Sequence, residues 1–272
     1  GANKKAGATA SEGDFVMAQS GPGKIRLFHD FFGVHDVLAS TGDPSSGGAA
    51  ALGDFYAGGE GYEDNDAGVA GKDALSGVVT LTSANSDGDT TFIGTHIAFD
   101  VALMAPIVME TRVQFADLDD KELFFGLTSV LSVDEQLEDI VIHAAAGTVA
   151  MPADLVGFYL SSEKTDDEAW HGIHNGGTTS ASTTTTSVCL GGTGDATSVG
   201  ATAGEWQVLR LEVAPNGTAR WYVDGVLYQT VEGAASTTTN MAVCLAVGAN
   251  TTEFAIVDCD YILVEANRDW TV

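Results

Sequence analysis

Large apolar side chains recur at every second position through most of this chain, in runs about as long as single strands. In "IVMETRVQF", Ile107, Met109, Thr111, Val113 and Phe115 fall on one side and Val108, Glu110, Arg112 and Gln114 on the other. That is the pattern of a strand with one buried face. Comparable runs are "KIRLFHDFF", "GVVTLTS", "THIAFDVALM", "ELFFGLTSV", "DLVGFYLS", "SVCLG", "QVLRLEV", "ARWYVDG", "LYQTV", "MAVCLAVG" and "FAIVDCDYILVEA". Turn chemistry separates them: "NSDGDT", "APNGT" and "VDGV" carry the Asn-Gly or Asp-Gly pairs of tight hairpins. Only "SVDEQLEDIVIH" reads as helical, because Ser132 and Glu135 have the spacing of a capping box, and it predicts one or two short turns. Many short strands with hairpin turns and no alternating helices specify an all-β, two-sheet antiparallel sandwich of the jelly-roll kind.

The stretch from Gly204 to Val231 holds two of the four tryptophans in a chain otherwise rich in Gly, Ala, Ser and Thr. Leu209, Leu211 and Val213 share one face of a strand and Ala219, Trp221 and Val223 one face of the next, which places them in a sheet-on-sheet core. Trp206 and Trp221 are therefore read as core or rim residues rather than ligand platforms. With 272 residues, one domain with a tail is expected. Residues 1–24 are polar and Gly/Ala-rich and read as a flexible N-terminal arm, and residues 25–272 as the sandwich. Within it, Ala39 to Lys72 is a Gly-rich stretch with little periodicity, expected to be an irregular functional loop or arm.

The 38 acidic and 11 basic residues give a formal net charge of −27. Such a field repels nucleic-acid phosphates and anionic membranes, so neither is expected as a partner. No apolar run of about 18 residues is present to span a bilayer. Cys189, Cys244 and Cys259 are an odd number, two of them inside apolar strand patterns, and are expected to be buried free thiols.

Chemistry is sparse. Retaining glycoside hydrolysis needs two carboxyls about 5 Å apart, whereas the polar face of "METRVQ" offers Glu110 followed by Arg112 and Gln114. The one comparable alternation of acids, Asp258 and Asp260, is expected at a strand edge or turn. His171 and His174, three apart, face opposite sides of a strand, which argues against a shared metal. No Ser or Cys nucleophile has a partner at motif spacing, and no phosphate-binding Gly motif occurs. Asp64 and Asp66 in "YEDNDAG", and Asp87 and Asp89 in "NSDGD", supply clustered oxygens of the kind Ca²⁺ takes, although neither matches an EF-hand loop. No other cofactor and no catalytic residue is expected.

The order "VMETRVQFADLDDKELFFGLTS", "DLVGFYLSSEKTDDEAWHGIHNGG", "GEWQVLRLEVAPNGTARWYVDGVLYQTV" and "FAIVDCDYILVEA" resembles the concanavalin A-like lectin and glucanase superfamily, laminin G-like modules included. The version it most resembles is that of tailed-bacteriophage virion proteins. The resemblance covers roughly Ile97 to Ala266 and marks fold better than function. It implies a non-enzymatic virion structural protein: a capsid decoration, cement or head-fibre protein at the capsid surface, binding the shell and in some cases host glycans. A homo-oligomer, with a trimer preferred, goes with that reading, and Lys4, Lys5 and Lys24 would dock the arm onto an acidic shell. The alternative it leaves open is an extracellular carbohydrate-binding lectin or adhesin, with a glycan hydrolase a distant third.

Overall fold

A computed structural model describes residues 23–34, 36–39, 49–145, 147–164, 168–184, 188–191 and 198–269. They form two antiparallel sheets facing each other, the sandwich the alternation predicts. The eight-stranded sheet runs β15 (Val226–Val231), β14 (Ala219–Val223), β13 (Trp206–Val213), β7 (Ile107–Gln114), β17 (Ile256–Asn267), β5 (Val79–Thr82), β4 (Gly68–Gly71), with β1 (Lys24–His29) also on β17. The seven-stranded sheet runs β12 (His171–Asn175), β11 (Leu155–Ser161), β8 (Lys121–Thr128), β16 (Ala242–Ala249), β6 (Thr90–Gly94), β3 (Phe55–Gly58), β2 (Ala50–Leu52). β17 is long enough for one edge to pair with β7 while β5 and β1 share the other, end to end.

The inward faces close as the pattern dictates. Leu209, Leu211, Val213, Ala219, Trp221 and Val223 are all at most 1% exposed, and they meet Leu123, Phe125, Val156 and Phe158 of the other sheet in the main core. Trp221 satisfies its one polar atom by donating from Nε1 to the Gly157 carbonyl at 2.8 Å. The β14–β15 turn is Asp224-Gly225, with φ of 50° and 78°. Positive φ at both positions matches the right-handed twist of a hairpin, which is why an Asp-Gly pair sits there.

A third layer lies outside the seven-stranded sheet. The outward side chains Phe92, Phe124, Leu155, Tyr159, Ile173, Cys244 and Ala246 form a second apolar cluster with Leu137, Ile140, Val141, Val149 and Val188. The cover includes the four-residue α2 (Leu137–Ile140) and the hairpin β9 (Ile142–Ala145)–β10 (Thr148–Ala150). β8, β11 and β16 are consequently buried at every position.

Several expectations need correction. Ala39 to Lys72 is not irregular where it is described: it contributes β2, β3 and β4, and Leu52, Phe55, Ala57, Tyr62 and Val69 are core residues. Ala and Gly dilute the period-two signal there, yet small residues are what the packing needs. A β-carbon at Gly59, φ 133°, would lie 2.0 Å from the Thr90 carbonyl oxygen. "THIAFDVALM" is not a strand; Phe99 makes one isolated bridge to Met241, then Asp100 caps α1 (Val101–Met104) by accepting from the Leu103 amide at 3.0 Å. The expected capping box is half formed: Glu135 accepts from the Ser132 amide at 2.6 Å, but α2 starts after Gln136. Lys24 belongs to β1, opposite Asn267, rather than to an arm; residues 1–22, with Lys4 and Lys5, lie outside the described residues. All three cysteines are buried and none forms a disulfide, as expected. Among the described residues no helix is long and apolar enough to cross a membrane.

Candidate functional site

The alternation that buries Leu209, Leu211 and Val213 turns Val208, Arg210 and Glu212 toward solvent. Register aligns them with neighbours: Arg210 lies opposite Glu110 of β7 and Tyr222 of β14, and Glu212 opposite Arg220. The Arg210 guanidinium reaches Glu212 Oε1 through Nη2 at 2.6 Å and Nε at 3.0 Å, and its Nη1 lies 3.6 Å from Glu110 Oε2. Tyr261 donates to Glu110 Oε1 at 2.7 Å and Tyr222 to Glu212 Oε2 at 3.3 Å. Burial, reinforced by these carboxylates, raises both phenol pKa values above the ordinary range, so both hydroxyls remain donors at neutral pH.

Two surface hollows flank this row. One, of about 500 Å³, is lined by Glu110, Val208, Arg210, Glu212, Tyr222, Asp224 and Gly225. The other, of about 340 Å³, is lined by Pro106, Val108, Val213, Ala214 and Pro215 with Arg210, Glu212 and Arg220. Sharing Arg210 and Glu212, they make one trench along the middle of β13. From Val208 to Val213 that strand spans about 17 Å. The wider face continues the theme. Arg112 pairs with Asp260 at 2.8 Å and lies 4.7 Å from the centre of the Trp206 ring, and Arg26 pairs with Glu265 at 3.2 Å. Four of the chain's five arginines thus stand on one side of one sheet.

A second polar group lies beneath the third layer. Tyr159 donates to Glu122 at 2.5 Å, Lys164 donates to the Thr148 carbonyl at 2.6 Å with its ammonium 5.9 Å from the Tyr159 ring centre, and His171 Nδ1 lies 3.3 Å from the Tyr159 carbonyl oxygen. Burial pushes the Glu122 carboxyl up to about 8, the Lys164 ammonium down to about 8 and His171 down to about 4. Alternation was not the signal that could have located this group. "ELFFGL", "LVGFYL" and "AVCLAVG" are near-continuous apolar runs, the mark of strands buried on both faces.

The residues singled out in the sequence fall as follows. Glu110 belongs to the trench, and the second carboxylate beside it, Glu212, comes from the neighbouring strand. Asp258 and Asp260 are not at an edge; they sit on β17 inside the sheet, 8% and 7% exposed, paired with Lys72 and Arg112. His171 and His174 do face opposite layers, His171 beside Tyr159 and His174 against Trp221. The two acidic turns meet: Asn65 donates to Asn85 at 3.1 Å, and Asp89 accepts from the Ser86 amide at 3.1 Å. Asp64, Asp66, Asp87 and Asp89 do not assemble there into a metal-binding set, and among the described residues no group of three or more His, Cys, Asp or Glu could hold a metal ion. Lys24 donates to Asn267. Trp206 is half-exposed beneath Arg112 and Trp221 is fully buried.

No protein-family model matches the chain, and no curated protein matches it. Solved structures do match. A protein of unknown function from Shewanella oneidensis MR-1 is 10% identical with a TM-score of 0.51, over 93% of this chain and 90% of that one. A point mutant of the carbohydrate recognition domain of Emp46p is 10% identical with a TM-score of 0.51, over 88% and 97%. LamAcat from Zobellia galactanivorans is 11% identical with a TM-score of 0.50, over 88% and 96%. At such identities the likeness is one of fold, a two-sheet antiparallel sandwich of the concanavalin A-like kind.

Proposed function

We propose that this chain is a recognition module, carried on a virion, that binds glycans along the β13 trench without cleaving them. The observation that carries the reading is the row Glu110–Arg210–Glu212, ringed by Tyr222 and Tyr261 and open to solvent on a rigid central strand. Carboxylates accept, while guanidinium and phenols donate. A sugar hydroxyl does both, so a polyol satisfies such a row without needing a charge of its own. Uncharged ligands are also those that a net charge of −27 does not repel.

Cleavage is not part of the reading. Glu110 and Glu212 are both engaged by one guanidinium, which occupies the space a scissile bond would need between them. The outer face of the other sheet is covered over β8, β11 and β16 by the third layer. The test is calorimetry or a glycan array with the whole chain and with Arg210→Ala and Tyr222→Ala. Binding that weakens at least about tenfold in either variant is expected. Absence of binding to any glycan, or turnover of a β-glucan that Glu110→Gln abolishes, would overturn it.

The virion placement draws on the sequence resemblance and on the charge contrast between Lys4 and Lys5 and an acidic body. In this reading the shell is the partner, and copies of the chain assemble as a homo-oligomer, a trimer by preference. Removing residues 1–22 is expected to abolish co-sedimentation with particles while leaving the far-UV circular dichroism of the sandwich unchanged. Full occupancy by the truncated chain would move the docking surface elsewhere.

A further inference from the structure

We propose that the hollow beside Arg220 is a specificity pocket for a single carboxylate-bearing sugar at one end of an otherwise neutral glycan. This deepens, and rests on, the glycan-binding reading of the same trench.

Arg220 and Glu212 are direct cross-strand partners, where an ion pair is the ordinary outcome. Here the Glu212 carboxylate is turned along its own strand and held by Arg210 at 2.6 and 3.0 Å, with the Tyr222 hydroxyl on its other oxygen. Arg26, Arg112 and Arg210 each have an acidic partner. Among the described residues no acid comes within ion-pair distance of Arg220. A partly buried guanidinium with an unfilled fork is shaped for the two oxygens of a carboxylate.

The rest of the hollow fits the body of such a residue. Val108, Pro106, Ala214 and Pro215 supply an apolar floor on which the C–H face of a sugar ring can rest, and one Arg at the rim fixes its orientation. Glu212 at the edge of the hollow is held by Arg210, and further along the trench the ligand meets Glu110 and Asp224, so a second and third carboxylate would be repelled. A polyuronate is therefore excluded where a single terminal uronate is accepted. The acidic body does not forbid that single charge, because at physiological salt its field is screened beyond about 8 Å.

The experiment is a calorimetric titration in 0.15 M NaCl at pH 7 with two probes: aldotetraouronic acid, which is xylotriose carrying one 4-O-methylglucuronate, and neutral xylotetraose. The wild-type chain is expected to bind the acidic probe at least about tenfold more tightly, the range of a charge-assisted hydrogen bond. Arg220→Ala should erase the difference, its loss falling mainly on the acidic probe with the urea midpoint unchanged, and Arg220→Lys should restore part of it. Equal binding of both probes by the wild type, or an equal loss of both in Arg220→Ala, overturns the carboxylate pocket and leaves glycan recognition standing. Failure of both probes to bind at millimolar concentration overturns the pocket, and the trench falls with it only if the glycan array is also empty.

Discussion

Trp221 and Glu122 are both buried, but burial does opposite things for them. The indole is apolar apart from one N–H, and that N–H has a carbonyl partner, so the whole ring adds to stability. Trp221→Ala is expected to cost about 3–5 kcal/mol, read as a lower urea midpoint. Glu122 is a carboxyl with one good partner, Tyr159, and its pKa is raised by burial from an ordinary 4.5 to about 8. Between those values the folded chain keeps a proton that the unfolded chain releases. The stability linked to this group is therefore fully present below about 4.5 and lost as pH rises toward 8. His171, lowered from 6.5 to about 4, has the reverse sign: its contribution is present above 6.5 and lost as pH falls through 4. Glu122→Gln keeps an acceptor for Tyr159 and removes the titration. Thermal unfolding at pH 8 should find the variant more stable than wild type by at least about 1 kcal/mol, with the gap closing by pH 5.

At the scale of elements, the third layer separates this sandwich from one with an open groove. Its hold is apolar: Leu137 and Ile140 from α2 and Val149 from β10 pack onto Phe124 and Tyr159. Ile140→Ala should cost about 2–5 kcal/mol. Ile140→Asp should loosen the layer and expose the cluster, read as new binding of a hydrophobic dye without loss of strand circular dichroism. Strands with one wet face were legible in the sequence because water enforces alternation on them, so β7, β13, β14 and β17 could be drawn from the pattern alone. β2, β3 and β6 were not, since Ala, Gly and Thr bury as readily as they are exposed. The third layer was legible only in part: "SVDEQLEDIVIH" announced the short turns of α2, whereas the β9–β10 hairpin is short and only packing against another sheet defines it.

For the molecule as a whole, charge is the term most open to manipulation. A net charge of −27 works against compactness, while the exposed ion pairs contribute about 0–1 kcal/mol each. Repulsion dominates, so raising NaCl from 0.01 to 0.5 M should raise the melting temperature even though it weakens those pairs. A fall would mean that the ion pairs matter more than the overall field. The candidate site was half legible at this scale. Glu110 could be picked out on its strand, but Arg210, Glu212 and Arg220 join it only through the register of β7, β13 and β14, and strand pairing across long sequence separations leaves no local trace.

The pairing of β1 with the end of β17 also sets the first and last described strands side by side. Lys24 stands opposite Asn267, so a linker of a few residues could join these strands, and new ends could be opened at the exposed turn around Gly147 without unzipping either sheet. A tether attached at either strand end pulls on the same corner. The trench strand β13 lies two strands away, about 10 Å across the sheet, so any leash fixed there sets how far the trench can search. Shortening the leash raises the effective concentration for a ligand on the supporting surface; lengthening it lets the trench reach ligands farther out.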